Sequence, residues 1–129
     1  MNSKKIILIV EDDAVLLKNL AAFFKDAGFG VLQAVDGEAG FKTAVEERPD
    51  IILLDILLPK MDGISVLKKL RQEHQALRMP IILLTNIEPS DSVMQDIIQT
   101  EPAYYMVKKD WKLADILEKV RESLEKSSS

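Results

Sequence analysis

Two short apolar runs, Ile6-Ile7-Leu8-Ile9-Val10 and Ile51-Ile52-Leu53-Leu54, show no alternation of polar and apolar positions. Strands of a parallel sheet covered on both faces have this unbroken character. After the first run the period becomes helical. Ala14 to Ala27 sets Leu16, Leu20, Phe23, Phe24 and Ala27 at helix spacing, with Asp12 or Asp13 as the cap and Gly28 as the stop. Val31 to Val35 predicts a second strand, and Asp36-Gly37 opens a helix to about Glu47. Pro49-Asp50 breaks the chain before the strand that ends in Asp55. Pro59-Lys60-Met61-Asp62-Gly63 is a loop, followed by a helix through Leu70. Ile81 to Leu84 predicts the fourth strand, ending at Thr85, and Pro89-Ser90-Asp91 starts a helix to about Gln99. Tyr104 to Val107 is the fifth strand, ending at Lys108. The last helix starts near Lys112 and aligns Leu113, Ile116, Leu117, Val120 and Leu124 on one face. Five strand–helix alternations predict an α/β fold, a parallel sheet with helices on both sides.

Composition narrows the classes. With 129 residues, 47% hydrophobic and 29% charged, the chain fits one globular domain. That domain is expected over residues 1–126, with Ser127-Ser128-Ser129 as a frayed tail or linker stub. No apolar run approaches the roughly 20 residues of a membrane span. Met1-Asn2-Ser3-Lys4-Lys5 leads straight into the first strand, so no signal peptide is expected. Cysteine is absent, which removes disulfides, thiolate metal sites and thiol catalysis. A net charge of -4 gives no basic footprint for nucleic acid. The expectation is a cytoplasmic protein without direct nucleic-acid or membrane contact.

Every strand except the second ends in a residue with useful chemistry. The first delivers Glu11 and Asp12, the third Asp55, the fourth Thr85 and the fifth Lys108. In open α/β sheets the ligand crevice lies outside the carboxyl ends of the strands. Clustered carboxylates repel one another, and Mg2+ relieves that repulsion while keeping waters and phosphate oxygens as its other ligands. A carboxylate beside the cation can attack phosphorus to give an acyl phosphate. A lysine and a hydroxyl nearby can bind the remaining phosphate oxygens.

The segments Ile7 to Asp13, Pro49 to Asp55, Pro59 to Gly63, Thr85 and Tyr105-Met106-Val107-Lys108 follow one another in this order and spacing. Together they resemble the receiver domain of two-component response regulators, the CheY-like superfamily, over nearly the whole chain. The resemblance implies a flavodoxin-like (βα)5 doubly wound sheet of strand order 2-1-3-4-5, which places Asp12 next to Asp55. It implies that Asp55 accepts a phosphoryl group from a phosphohistidine on a histidine kinase or histidine phosphotransfer protein. Asp12, Asp55 and the backbone carbonyl of Leu57 would ligate Mg2+, with Glu11 acting through a bound water. Lys108 would pair with the phosphate, Thr85 would hydrogen-bond to it, and Tyr105 would follow the threonine as a switch. Asp13 lies one place beyond the acidic pair and reads as a helix cap. Apart from Mg2+-dependent self-phosphorylation and autodephosphorylation, no enzymatic activity is implied.

Some positions depart from the family pattern. Lys109 stands where a proline usually follows the lysine through a cis peptide. Because a cis bond without proline costs about 2.5–4 kcal/mol, the geometry of this peptide and the shape of its loop stay open. Asn86 replaces a small residue, and Glu101-Pro102 precedes the fifth strand. His74, the single histidine, lies in a polar stretch and receives no role. Other classes fit less well. A haloacid-dehalogenase-like phosphatase would want a second aspartate where Leu57 stands, and Glu11-Asp12-Asp13 would repel a flavodoxin cofactor's phosphate. The alternative left open is a pseudo-receiver, an interaction module that works without phosphorylation. The output is expected to be contact with a downstream protein target or a phosphorylation-dependent homodimer. Its expected face joins Val93, Met94, Ile97 and Ile98 of the fourth helix with Tyr104, Tyr105 and Trp111.

Overall fold

The computed structural model describes residues 4–73, 79–86, 90, 95, 97, 102 and 104–128. Five parallel strands, β1 (Ile6–Val10), β2 (Gly30–Ala34), β3 (Ile51–Leu54), β4 (Ile81–Thr85) and β5 (Tyr104–Val107), lie in the order β2-β1-β3-β4-β5. The described α-helices are α1 (Ala14–Asp26), α2 (Gly37–Glu47), α3 (Gly63–Glu73) and α4 (Leu113–Ser128). The unbroken apolar runs are explained by the two cores. Leu8, Val10, Ile52, Leu54, Ile81 and Leu83 pack with Ala44, Val66, Leu67 and Leu70 of α2 and α3. Ile7, Ile9, Ile51, Leu53, Ile82 and Leu84 pack with Leu17, Leu20 and Phe24 of α1 and Ile116 and Val120 of α4. Alternate strand residues thus serve opposite cores, as the two-residue period of a strand requires. Removing a side chain such as Phe24 from water contributes roughly 2–3 kcal/mol.

The expected fold and strand order are therefore present, and the boundaries shift in ways that packing accounts for. β2 begins at Gly30 and ends at Ala34, and Val35 lies outside it, 56% exposed. Helix α3 runs past Leu70 to Glu73, where Arg71 Nη1 donates to the Met79 carbonyl at 3.2 Å. Helix α4 runs to Ser128, past the expected boundary at residue 126. Leu124 still packs on the core there, and Lys126 Nζ lies 3.4 Å from the Tyr104 hydroxyl. That hydroxyl donates to Glu122 at 2.9 Å, which, with Lys119, holds the Glu122 carboxyl below its ordinary pKa. The contact straps the edge strand β5 to α4.

Asp13, not Asp12, caps α1, accepting from the N–H groups of Val15 and Leu16 at 3.1 Å each. Asp13→Ala is expected to cost about 1 kcal/mol in chemical denaturation. The predicted fourth helix falls outside the described residues apart from Ser90, Gln95 and Ile97, and so do Val93, Met94, Ile98 and His74. Ile97 is buried in the core beside α2 and α3. Trp111 and Tyr104 are half-buried against the opposite core.

Candidate functional site

The strand ladder itself carries the acidic residues into place. The N–H of Glu11 donates to the Ala34 carbonyl at 3.0 Å, and that of Asp55 to the Val10 carbonyl at 3.1 Å. Each hydrogen bond extends a neighbouring strand pair by one residue, so Glu11, Asp12 and Asp55 emerge together at the sheet's C-terminal edge. One carboxylate oxygen from each lies within 4.8 Å of the others. Glu11 is 2% exposed and Asp55 5%, whereas Asp12 faces solvent. Gly63 presses in behind Asp55: its N–H reaches the Ile56 carbonyl at 2.9 Å, and a Cβ there would lie 2.1 Å from the Asp55 carbonyl oxygen.

Lys108 supplies the opposing charge. It follows β5, and its Nζ lies 2.9 Å from Asp55 Oδ2 while also pairing with Glu11. The other Asp55 oxygen accepts from the Leu57 N–H at 3.2 Å, and Glu11 Oε2 accepts from the Asp13 N–H at 3.1 Å. Burial pushes the Glu11 carboxyl above its ordinary pKa and outweighs the pull of Lys108, with Asp55 adding repulsion. Burial alone would lower Lys108, but the hydrogen bonds it donates to Glu11 and Asp55 hold it above its ordinary value. The two directions agree physically, because the lysine answers to two carboxylates while Glu11 answers to one lysine.

Thr85 is fully buried at the end of β4. Register sets Leu83 opposite Leu54 and Thr85 opposite Val107, so Thr85 sits at the same sheet end as Asp55 and Lys108. Tyr105 is half-buried on the α2/α3 side of the sheet, and Asn86 is exposed. Leu57 exposes 57% of its surface at the pocket rim. The Lys108–Lys109 peptide is trans, and Lys108–Asp110 forms a single 3-10 turn closed by the Trp111 N–H on the Lys108 carbonyl at 3.5 Å. Asp36, where the sequence opened α2, caps that helix through the Ala39 N–H at 2.7 Å, whereas the cap at Asp62 went unread, although it accepts from Ser65 N–H at 2.9 Å and Ser65 Oγ at 2.8 Å. The signal was there in the spacing, since a cap accepts from residues two or three places on.

The donor set suits Mg2+. Three hard carboxylate oxygens converge, two of them on buried groups and one open to water, where a hydrated cation keeps several waters.

Comparison with known proteins agrees with this geometry. The model of the response regulator receiver domain matches residues 7–121. The alkaline phosphatase synthesis transcriptional regulatory protein PhoP of Bacillus subtilis is 46% identical over 85 residues, covering 66% of this chain and 34% of that protein. The DNA-binding dual master transcriptional regulator RpaA of Synechocystis sp. is 39% identical over 93 residues, covering 72% of this chain and 37% of that protein. The chain thus spans about a third of the length of the curated relatives it matches. A CheY-like response regulator receiver domain protein from Methanospirillum hungatei superposes with a TM-score of 0.89 at 28% identity, covering 98% of both chains. No helix among the described residues is long and apolar enough to cross a membrane. With its sheet order, its acidic strand ends and its lysine after β5, this chain belongs to the response regulator receiver domain family.

Proposed function

We propose that the chain is a phosphorylatable receiver in which Asp55 takes a phosphoryl group from a phosphohistidine donor. The observation that carries this reading is the buried Asp55 carboxylate held between Lys108 and the Leu57 N–H beside two further acidic groups. This arrangement favours the reading over a receiver that works without phosphorylation, for which a buried acceptor carboxylate is not required. An Asp55 oxygen forms the new bond to phosphorus as the P–N bond to the donor imidazole breaks, and the imidazole leaves neutral, with the bond's electron pair on one nitrogen and the proton it already carried on the other. Lys108 then turns its charge to the new phosphate, and Thr85 hydrogen-bonds to it. Asp12, Asp55 and the Leu57 carbonyl would hold Mg2+, with Glu11 acting through water, and a cation held there would supply positive charge to the transferring oxygens. Tyr105 and β5 pass the rearrangement outward, favouring one state of the output face. DNA binding belongs, by name, to the longer relative RpaA.

Mass measurement with Mg2+ and a small acyl phosphate tests the reading: one added phosphoryl group is expected. Asp12→Ala should weaken Mg2+ binding roughly 100-fold, at least the cost of losing an outer-shell partner, with the fold intact. Calorimetry showing undiminished Mg2+ affinity in that variant would overturn the assignment of Asp12 as a ligand.

A further inference from the structure

The loop from β3 to α3 carries the chain from Asp55 through Leu57, and it rests on the N-terminus of α2. The N–H of Gly37 donates to the Pro59 carbonyl at 3.2 Å. A Cβ on Gly37 would stand 1.6 Å from the Met61 carbonyl oxygen and 2.9 Å from the Met61 Cβ. Only glycine lets the two backbones meet this closely. Asp36 makes a second contact: Oδ1 caps α2 through the Ala39 N–H at 2.7 Å, while Oδ2 faces Lys60 Nζ at 3.8 Å. Lys60 itself has a φ of +68°, a left-handed conformation that a residue with a Cβ keeps only when its surroundings impose it. Two short turns complete the loop, with Leu58 N–H on the Ile56 carbonyl at 3.1 Å and Met61 N–H on the Pro59 carbonyl at 2.8 Å. Met61 packs its side chain on the α2/α3 core.

From this seating we infer that Gly37 and Asp36 are positioning residues for the acceptor pocket. By fixing the β3–α3 loop on α2, they set where Asp55 and the Leu57 carbonyl present oxygen to a divalent cation. The inference rests on the receiver reading above. Leu57 is largely exposed, so burial does not hold its backbone. The turns and the seat on α2 must do so. Mg2+ demands near-octahedral geometry at about 2.0–2.1 Å, so a small displacement of one oxygen weakens binding.

The test uses the full chain with Gly37→Ala, Asp36→Ser and, as a control, Gly40→Ala. Serine keeps the helix cap but not the charge facing Lys60. A Cβ on Gly40 would meet Val10 Cγ1 at 2.8 Å, straining the same helix away from the loop. Gly37→Ala is expected to bind Mg2+ about tenfold more weakly by calorimetry, and Asp36→Ser about twofold to threefold, the scale of a surface ion pair. Gly40→Ala should lower the unfolding temperature without a comparable loss of affinity. Backbone amide shifts in EDTA should move at Leu57 and Leu58 in both loop-seat variants. Should Gly37→Ala not fold, Asp36→Ser decides: shifts confined to α2 would overturn the inference. Equal weakening by Gly40→Ala, or wild-type affinity in both seat variants, would also overturn it. An unaltered chain that neither binds Mg2+ nor gains a phosphoryl group would defeat the receiver reading itself, and this inference with it.

Discussion

Asp55→Asn is expected to stay unmodified under conditions in which the unaltered chain gains one phosphoryl group. The amide has nearly the shape of the carboxylate, and its oxygen can still accept from the Leu57 N–H that Asp55 Oδ1 now engages. It lacks the anionic oxygen that must attack phosphorus. The fold should survive. Lys108 loses one partner but keeps Glu11, and the repulsion that Asp55 exerts on Glu11 disappears. These changes oppose each other, so metal-free stability should hold within about 1 kcal/mol. In the unaltered chain the adduct should be labile to alkali and hydroxylamine, as an acyl phosphate is. A phosphoryl group that resists alkali, or one that appears on Asp55→Asn, would place the acceptor elsewhere.

How much of this was readable in the sequence depends on how far apart the partners lie. β1 and β3 declared themselves because strands buried on both faces need apolar residues at every position, and Glu11, Asp12 and Asp55 followed as the first polar residues beyond them. β2 was misplaced by one residue because it is an edge strand paired only with β1 and half-exposed along most of its length. Its pattern therefore constrains register weakly. The Lys108–Lys109 departure left the peptide geometry open; the structure has it trans, with a 3-10 turn over Lys108–Asp110 beside the half-buried Trp111. Gly37 and Gly63 read as an opening residue and a loop residue. Their close approaches to Met61 and Asp55 are tertiary contacts, and no local pattern encodes which carbonyl will stand over a missing Cβ.

Lys108→Met should produce the largest change in stability, and only when the cation is absent. Methionine retains the apolar stem and removes the charge, leaving Glu11 and Asp55 buried together without their shared partner. Removing one partner of a buried ionic cluster costs roughly 3 kcal/mol, or about 10 °C in unfolding temperature for a domain of this size. The sign of the pH dependence follows from Glu11. Its folded pKa already lies above the ordinary 4.5 because of burial, and loss of Lys108 removes an attraction that lowers it. A carboxyl raised in the folded state binds more protons folded than unfolded. Its stabilising contribution is thus fully present below pH 4.5 and is lost as pH rises through the folded value. The stability gap between Lys108→Met and the unaltered chain in EDTA should therefore be widest near neutral pH and narrow toward pH 4.5. Adding Mg2+ at neutral pH should narrow it too, because the cation replaces the missing charge and binds only the folded chain. A gap that changes with neither pH nor Mg2+ would mean that the Lys108 charge contributes nothing to holding the acidic cluster together.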